Sequence, residues 1–592
     1  MRHTRMLALA GSAALVAAIA GTGSAMARPS APAAGATSSA GTASTSGNGS
    51  YVVLTDNAAD AGKIADQLRA TGATITSVNS DIGLVTVKGS NAVLTKARSL
   101  KGVEGAAKDR SIGRSPTTDK QDAVLKENAA AATAAKAAAQ GSKGSKGSKH
   151  HPKPKPKADP LDDLLWGMDM IDAPAAHKYE KGDRRVKVGI LDTGVQADHP
   201  DIAPNFDKKL SRNFTTDMVD IDGPCEVPSC VDGPGVDDDG HGTHVAGTIA
   251  AAANGIGVSG VAPDVGIVNI RGGQDSGYFF LGPVTSALTY AGRVGLDVVN
   301  MSFYVDPWLY NCAGGAPEDS PEEAAEQDLV IEAMTRALTF AHRKNVTLVG
   351  ALGNNHEDLS NPRPDISSPD YPAGNEHLRT IDNDTCWDLP TEGPFVIGVS
   401  AVGPSGEKAD FSNYATDLRS GEIEVAAPGG WFRDLIGTDQ YRVNENLILS
   451  AAPLHVLQAA GQVDEAGNIT PDGEAVGTMK DCGKVRGKTV CGYYQYLQGT
   501  SMAAPHASGV AALAVSAHGR QQGRSGFGMD PDKVKSLLMR TATNHACPAG
   551  GVRSYEPEGR SAEFTATCNG SDRFNSFYGD GIVNALGVVR GR

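Results

Sequence analysis

Three short glycine-rich segments carry the residue types of nucleophilic catalysis: Asp192 in ILDTGV, His241 in HGTHVAG and Ser501 in GTSMAAPH. A serine hydroxyl is a weak nucleophile until a neighbouring base takes its proton. An imidazole serves as that base when a carboxylate fixes its tautomer and steadies the imidazolium that forms. Brought together, the three groups could attack a carbonyl carbon and carry a covalent intermediate. Each also has a plainer reading. Asp after a strand is commonly a helix cap, and Ser501 ahead of MAAPHASGVAALAVSA reads as an N-cap with Pro505 in the first turn. His244 follows His241 by three residues on one helical face. No third ligand stands nearby at metal spacing, so His244 is expected to pack. The acidic run VDDDG before His241 reads as a solvated turn or a second cation site.

These side chains need a scaffold that presents them on one edge. VKVGILD is a near-continuous apolar run of the kind buried in a parallel sheet, and VGIVNIR, LDVVNMSF, NVTLVGALGN and FVIGVSAVG repeat it. Between them lie the helical stretches THVAGTIAAAAN, GPVTSALTYAGRVG and EEAAEQDLVIEAMTRALTFAHRKN. Alternating strands and helices predict an α/β fold, a doubly wound and mostly parallel sheet with its site at the strand C-terminal ends. Asp192 would emerge at that edge. Ser501 would open a helix whose first N–H groups and dipole favour negative charge. Upstream, YVVLT, AGKIADQLRATG, ITSVN, GLVTVKG, NAVLTKARSLKG and VEGAAKDRSI predict a small α+β ferredoxin-like domain of β-α-β-β-α-β order.

The chain has 592 residues and is 40% hydrophobic, enough for a sizeable core. Arg2 and Arg5 precede an apolar stretch from Leu7 to Ala20, and Ala25-Met26-Ala27 fits a cleavage site, so residues 1–27 read as a signal peptide. That stretch is short for a membrane anchor. Residues 28–50 are low-complexity. Residues 115–160 form a flexible linker with an Ala-rich run followed by GSKGSKGSKHHPKPKPK. Its lysines lack the interleaved aromatics of a nucleic-acid binder. The first 157 residues carry 21 basic and 9 acidic side chains against a chain total of −14, so the body after Lys157 carries −26. Such acidity disfavours nucleic acid and anionic membranes as partners. The eight cysteines all lie beyond residue 220, and an even count in an exported chain favours disulfides. Proximity suggests Cys225–Cys230, Cys482–Cys491 and Cys547–Cys568, leaving Cys312 with Cys386, although sequence leaves connectivity open.

The segments DTGV with HPDI, HGTHVAG and GTSMAAPH, in the order Asp, His, Ser, resemble those of the subtilisin-like serine peptidases. The resemblance runs, with gaps, from about Leu161, giving a catalytic domain over 161–592 and an inhibitor-like propeptide over 51–114. It implies a secreted endopeptidase made as a prepropeptide, acting on protein or peptide substrates as a monomer without an organic cofactor. NVTLVGALGNN matches the family's A-G-N pattern, which implies that Asn354 completes an oxyanion hole. Ser302, Phe303 and Tyr304 would pair with substrate backbone, with Tyr304 replacing a glycine, and Gly353 would lie on the opposite wall. Asp370 in SPDYPAG would fall at the base of the primary specificity pocket and attract Lys or Arg. ANGIGVSG resembles the family's calcium loop, with Asp201, Asn254, Asp162 and the carbonyls of Ala252, Ile256 and Val258 as ligands. Insertions near 210–238, 305–328, 355–390 and 431–495 depart from the compact pattern and are expected to form a rim around the cleft. The rival reading is a catalytically silent scaffold that binds a protein partner through those insertions.

Overall fold

The computed structural model describes residues 49–109, 159–370, 374–522 and 526–591. The expected signal peptide, nearly all of the low-complexity segment and all but the end of the linker lie outside these residues. Gly49 and Ser50 already belong to the first strand, Gly49–Thr55.

The apolar runs form a seven-stranded sheet, all parallel. In spatial order its strands are Val425–Pro428, Val396–Val402, Thr347–Ala351, Val298–Met301, Lys187–Leu191, Gly266–Arg271 and Arg212–Asn213. Val, Ile and Leu in these strands are buried on both faces, as helix-covered sheets require. Chain order reverses beside Lys187–Leu191, whose neighbours are Gly266–Arg271 on one side and Val298–Met301 on the other. Register aligns Leu191 with Met301, and Met301 with Gly350. The residues that follow these strands, Asp192, Ser302 and Leu352 to Asn354, therefore leave one sheet edge at about one level. That is the crevice where open α/β sheets place their sites.

The small domain is an antiparallel sheet in the order Thr74–Asn79, Leu84–Gly89, Gly49–Thr55, Val103–Lys108, carrying helices Ala61–Arg69 and Asn91–Ser99. Strand alternation splits its apolar side chains between two faces. Val53, Val85 and Val87 pack with Ile64 and Leu68 of its own helix. Val52, Leu54 and Leu84 share a core with Leu281, Leu288, Leu329 and Ala333 from helices Leu281–Val294 and Pro321–Arg343. The latter helix starts on a capping box of Ser320 and Glu323 with Pro321 in its first turn. Its Arg336 Nη1 donates to the carbonyls of Thr55 at 2.7 Å and Ile82 at 3.1 Å, and Nη2 pairs with Glu104.

The three disulfides suggested by proximity and the remaining Cys312–Cys386 pair are all formed. Cys312–Cys386 joins two insertions through a pair of two-residue strands. The 431–495 insertion lies beside the start of the histidine helix, with His455 paired to Asp238 at 2.8 Å. It builds a three-stranded sheet of Ile448–Ala452, Lys488–Leu497 and Met479–Val485 that packs on helix His241–Ala250. Ser450 Oγ donates to the His244 carbonyl at 2.8 Å. His244 packs as expected, its Nε2 at 3.0 Å from the Ile448 carbonyl and its pKa lowered by burial to about 3. Among the described residues no helix is long and apolar enough to cross a membrane.

Candidate active site

Asp192 directly follows its strand and is fully buried. Its Oδ1 accepts the N–H of Thr193 at 2.8 Å and the imidazole Nδ1–H of His241 at 2.7 Å. His241 is the first residue of its helix and is 2% exposed. Glycine makes the approach possible. A Cβ on Gly242 would stand 2.1 Å from the Gly194 carbonyl oxygen and 3.0 Å from Asp192 Cβ. Any other residue there would push the histidine helix off the aspartate loop.

The acidic run before His241 is a buried clamp where a solvated turn was expected. Asp237 is 0% exposed and accepts from Thr193 Oγ1 at 3.0 Å, Gly240 N–H at 2.9 Å and Thr243 N–H at 2.8 Å. It thereby ties the Asp192 loop to the start of the histidine helix. Asp239 accepts the N–H of His241 at 3.0 Å, and Asp238 pairs with His455 at 2.8 Å. Burial alone would lower the pKa of His241. The charge and hydrogen bond of Asp192, helped by Asp239 and Asp237, outweigh it and raise the pKa to about 9. Burial, reinforced by the charge of Asp237, pushes Asp239 up to about 7.

Ser501 is the second residue of helix Thr500–His518, with Gly499 as N-cap, so its side chain is not a cap. Its Oγ donates to the Ser302 carbonyl at 3.3 Å, while Ser302 Oγ donates back to the Ser501 carbonyl at 3.2 Å. Asn300 extends the link, donating to Ser302 Oγ at 2.9 Å and accepting from Ser508 Oγ at 2.9 Å. The serine and histidine helices pack against each other. His241 Nε2 makes no hydrogen bond among the described residues, so the serine–imidazole bond is not formed in this rotamer. Asn354 follows Gly353, which has φ +101°, and its Oδ1 accepts the N–H of Thr500 at 2.8 Å and its hydroxyl at 2.9 Å. That fixes the amide beside the nucleophile's turn.

A cleft beside Ser501 is lined by Ser302, Phe303, Tyr304, Gly353 and Asn354. Asp370 is not among its lining residues, which corrects the expectation for that carboxylate. Its Oδ2 accepts the hydroxyl of Tyr304 at 2.8 Å, so it serves as a brace for the cleft wall. The carboxylate in the lining is Asp388, which the sequence reading missed. The only sequence signal was its place just before Leu389-Pro390, ahead of the strand Val396–Val402.

The proposed calcium ligands gather on one loop. Asp201 is fully buried, accepting from Val258 N–H at 3.1 Å, Tyr494 Oη at 2.8 Å and Asn254 Nδ2 at 3.2 Å. Burial pushes its carboxyl up to about 7. Asp162 accepts the N–H of Ser259 at 2.8 Å, and Asp159, overlooked at the end of the linker, accepts those of Gly255 at 2.7 Å and Asn254 at 3.1 Å. The donors to these three carboxylates are backbone, serine, asparagine and tyrosine, with no basic side chain among the described residues. The three are not one of the acidic clusters whose oxygens converge within 4.8 Å, so a hard divalent cation here would depend on the loop carbonyls and the Asn254 side chain as well. Two other acidic groups, around Asp319 and around Asp232, are occupied instead by the buried Arg379 and Arg271.

A buried Asp–His pair on a doubly wound sheet, with a serine at a neighbouring helix start, is the architecture of a serine peptidase of subtilisin type. The family model described as "Subtilase family" matches residues 183–581, and the chain belongs to that family. It is 30% identical over 280 residues to the intracellular serine protease of Paenibacillus polymyxa, covering 47% of this chain and 65% of that protein. It is 26% identical to subtilisin DY of Bacillus licheniformis, covering 64% of this chain and 91% of that one. Among solved structures, the epidermin leader peptide processing serine protease of Staphylococcus aureus aligns with TM-score 0.58 at 18% identity, covering 92% and 98% of the two chains. Fervidolysin from Fervidobacterium pennivorans aligns with TM-score 0.52 at 21% identity, covering 92% of this chain and 61% of that one. These likenesses agree with the observed fold.

Proposed function

We propose that the protein is a secreted serine endopeptidase whose catalytic unit is Asp192, His241 and Ser501, with Asn354 as oxyanion donor. The observation that carries the reading is the 2.7 Å hydrogen bond between buried Asp192 and His241 Nδ1, which leaves Nε2 as the basic nitrogen. Ser501 Oγ rotates from the Ser302 carbonyl to His241 Nε2, gives up its proton and attacks the peptide carbonyl carbon. The developing oxyanion is met by the N–H of Ser501 and the amide of Asn354, whose oxygen is anchored on Thr500. His241 then passes its proton to the leaving amine, an acyl-enzyme remains, and water, activated by the same imidazole, releases it. Asp192 holds the tautomer throughout.

The small domain over residues 49–109 acts as the propeptide, inhibiting in trans or cis through its seat on helices Leu281–Val294 and Pro321–Arg343. Cleavage in the lysine-rich linker releases it. Calcium would be held by Asp201 and Asn254 with the carbonyls of Ala252, Ile256 and Val258, and with Asp162 at its edge. It would supply cross-linking charge to a loop packed on the histidine helix. Secretion follows from the signal-like N-terminus. Labelling of the processed protein by a fluorophosphonate at Ser501, abolished in Ser501→Ala, tests the reading. No labelling of folded, processed protein would instead favour the silent scaffold.

A further inference from the structure

Asp388 occupies an unusual position for a carboxylate. It lies in the lining of the cleft that also holds Ser501, Thr500 and Asn354, and among the described residues it is the one acid there. It is 5% exposed, and its Oδ1 has no hydrogen-bond partner among the described residues. Two nearby acids are matched by arginine, Glu357 by Arg363 at 2.7 Å and Asp365 by Arg379 at 3.0 Å, while Asp306 and Asp370, outside the lining, share with Asp388 an Oδ1 that has no hydrogen-bond partner among the described residues. A buried carboxylate without a partner is costly, and folds keep such groups where a ligand completes them.

The surroundings define that ligand. Phe303, Leu309 and Ala351 give the cleft apolar walls. Gly353 lines the same cleft, and a Cβ there would meet Asn413 Nδ2 at 2.4 Å before reaching Asp388 Oδ2 at 3.5 Å. Asp388 is fixed from behind, its N–H donating to Glu392 Oε2 at 2.6 Å and its carbonyl accepting the N–H of Glu392 at 2.8 Å. An apolar shaft ending in a rigid, unmatched carboxylate suits a methylene chain that carries a cation. Asp370 cannot play this part, because it is outside the lining and bound to Tyr304. Burial raises the Asp388 carboxyl well above the usual carboxylate range, and a cation seated beside it would act in the opposite direction.

We propose that Asp388 selects substrates with arginine or lysine immediately before the scissile bond. The inference rests on the peptidase reading above. The test uses the matured full-length protein and peptides that differ only at that residue: Arg, Lys, Leu and Phe. The expected result is kcat/KM for Arg or Lys exceeding that for Leu or Phe by roughly 100-fold or more, and a collapse of that ratio to about 10 or less in Asp388→Asn. Fluorophosphonate labelling at Ser501 is run beside it. Should Asp388→Asn fail to fold, inhibition of the unaltered protein by benzamidine, with no inhibition by the neutral benzamide, carries the same weight. Labelling with equal cleavage after Arg and Phe, or insensitivity to benzamidine, overturns the specificity while the peptidase reading stands. Absence of labelling overturns both.

Discussion

Arg336 is the charged polar anchor of the small domain, beside the neutral one from Asn79 Nδ2 to Thr289 Oγ1 at 2.9 Å, and Arg336→Ala should loosen the domain's hold on the catalytic body. The guanidinium is 21% exposed and donates to the carbonyls of Thr55 at 2.7 Å and Ile82 at 3.1 Å. Hydrogen bonds from a charged donor contribute about 1.5–3 kcal/mol each. The partner carboxylate of Glu104 is 42% exposed, so that pair adds only about 0–1 kcal/mol after solvent screening. Partial exposure and residual hydration of the freed carbonyls reduce the sum to roughly 3 kcal/mol, or about 100-fold in affinity. The apolar seat formed by Leu54 and Leu84 against Leu329 is untouched by the substitution. The assay is inhibition of the matured protein by the separately produced 49–109 segment, read as Ki with a fluorogenic peptide. Arg293→Ala is the internal control: its pair with Asp81 is 3.2 Å long and 52% exposed, so Ki should change by less than about threefold. Equal effects of the two substitutions, or no change for Arg336→Ala, would refute the assignment of the anchor.

Asn354→Ala should lower kcat by about 10²–10³ with little change in KM, since its amide is required in the transition state; a change confined to KM would oppose the role. Asp239→Asn should move the acid limb of the kcat/KM profile to lower pH. Catalysis needs neutral His241, and Asp239 is one of the charges that raise its pKa to about 9, so removing it lets the base persist into more acidic solution. An unmoved or alkaline-shifted limb would contradict the electrostatic account. Chelation by EDTA should lower the Tm of the matured protein by several degrees, and Asp201→Asn should lower it and remove the EDTA effect; an EDTA-insensitive Tm would discount calcium.

Much of the architecture could be read from the chain because its signals are local. Both-face burial turns strands such as VKVGIL and VIGVSAV into continuous apolar runs, and the glycines around Asp192 and His241 are demanded by the close approach of two backbones. What escaped reading depends on distant partners. The strand Val425–Pro428 is four residues long and ends on proline, so no period shows. Met479–Val485 is largely polar and partly exposed, because it is an outer strand of a small sheet rather than part of a core. Asp237 looked like any member of an acidic turn until Thr193 and Thr243 came within hydrogen-bond distance. Asp388 and Asp370 illustrate the same limit. Each stands two residues before a proline in the sequence, and only the packing of Tyr304 against one of them tells which carboxylate faces the cleft.

The central claim is that Asp192, His241 and Ser501 act as one unit, and a mutant cycle tests it most directly. Amide hydrolysis is measured for Ser501→Ala, His241→Ala and the double variant, each confirmed as folded. The account predicts that each single change removes roughly 10⁶ of kcat and that the double change costs no more than either alone. Losses that add in the double variant, or a single variant retaining most of its rate, would contradict it.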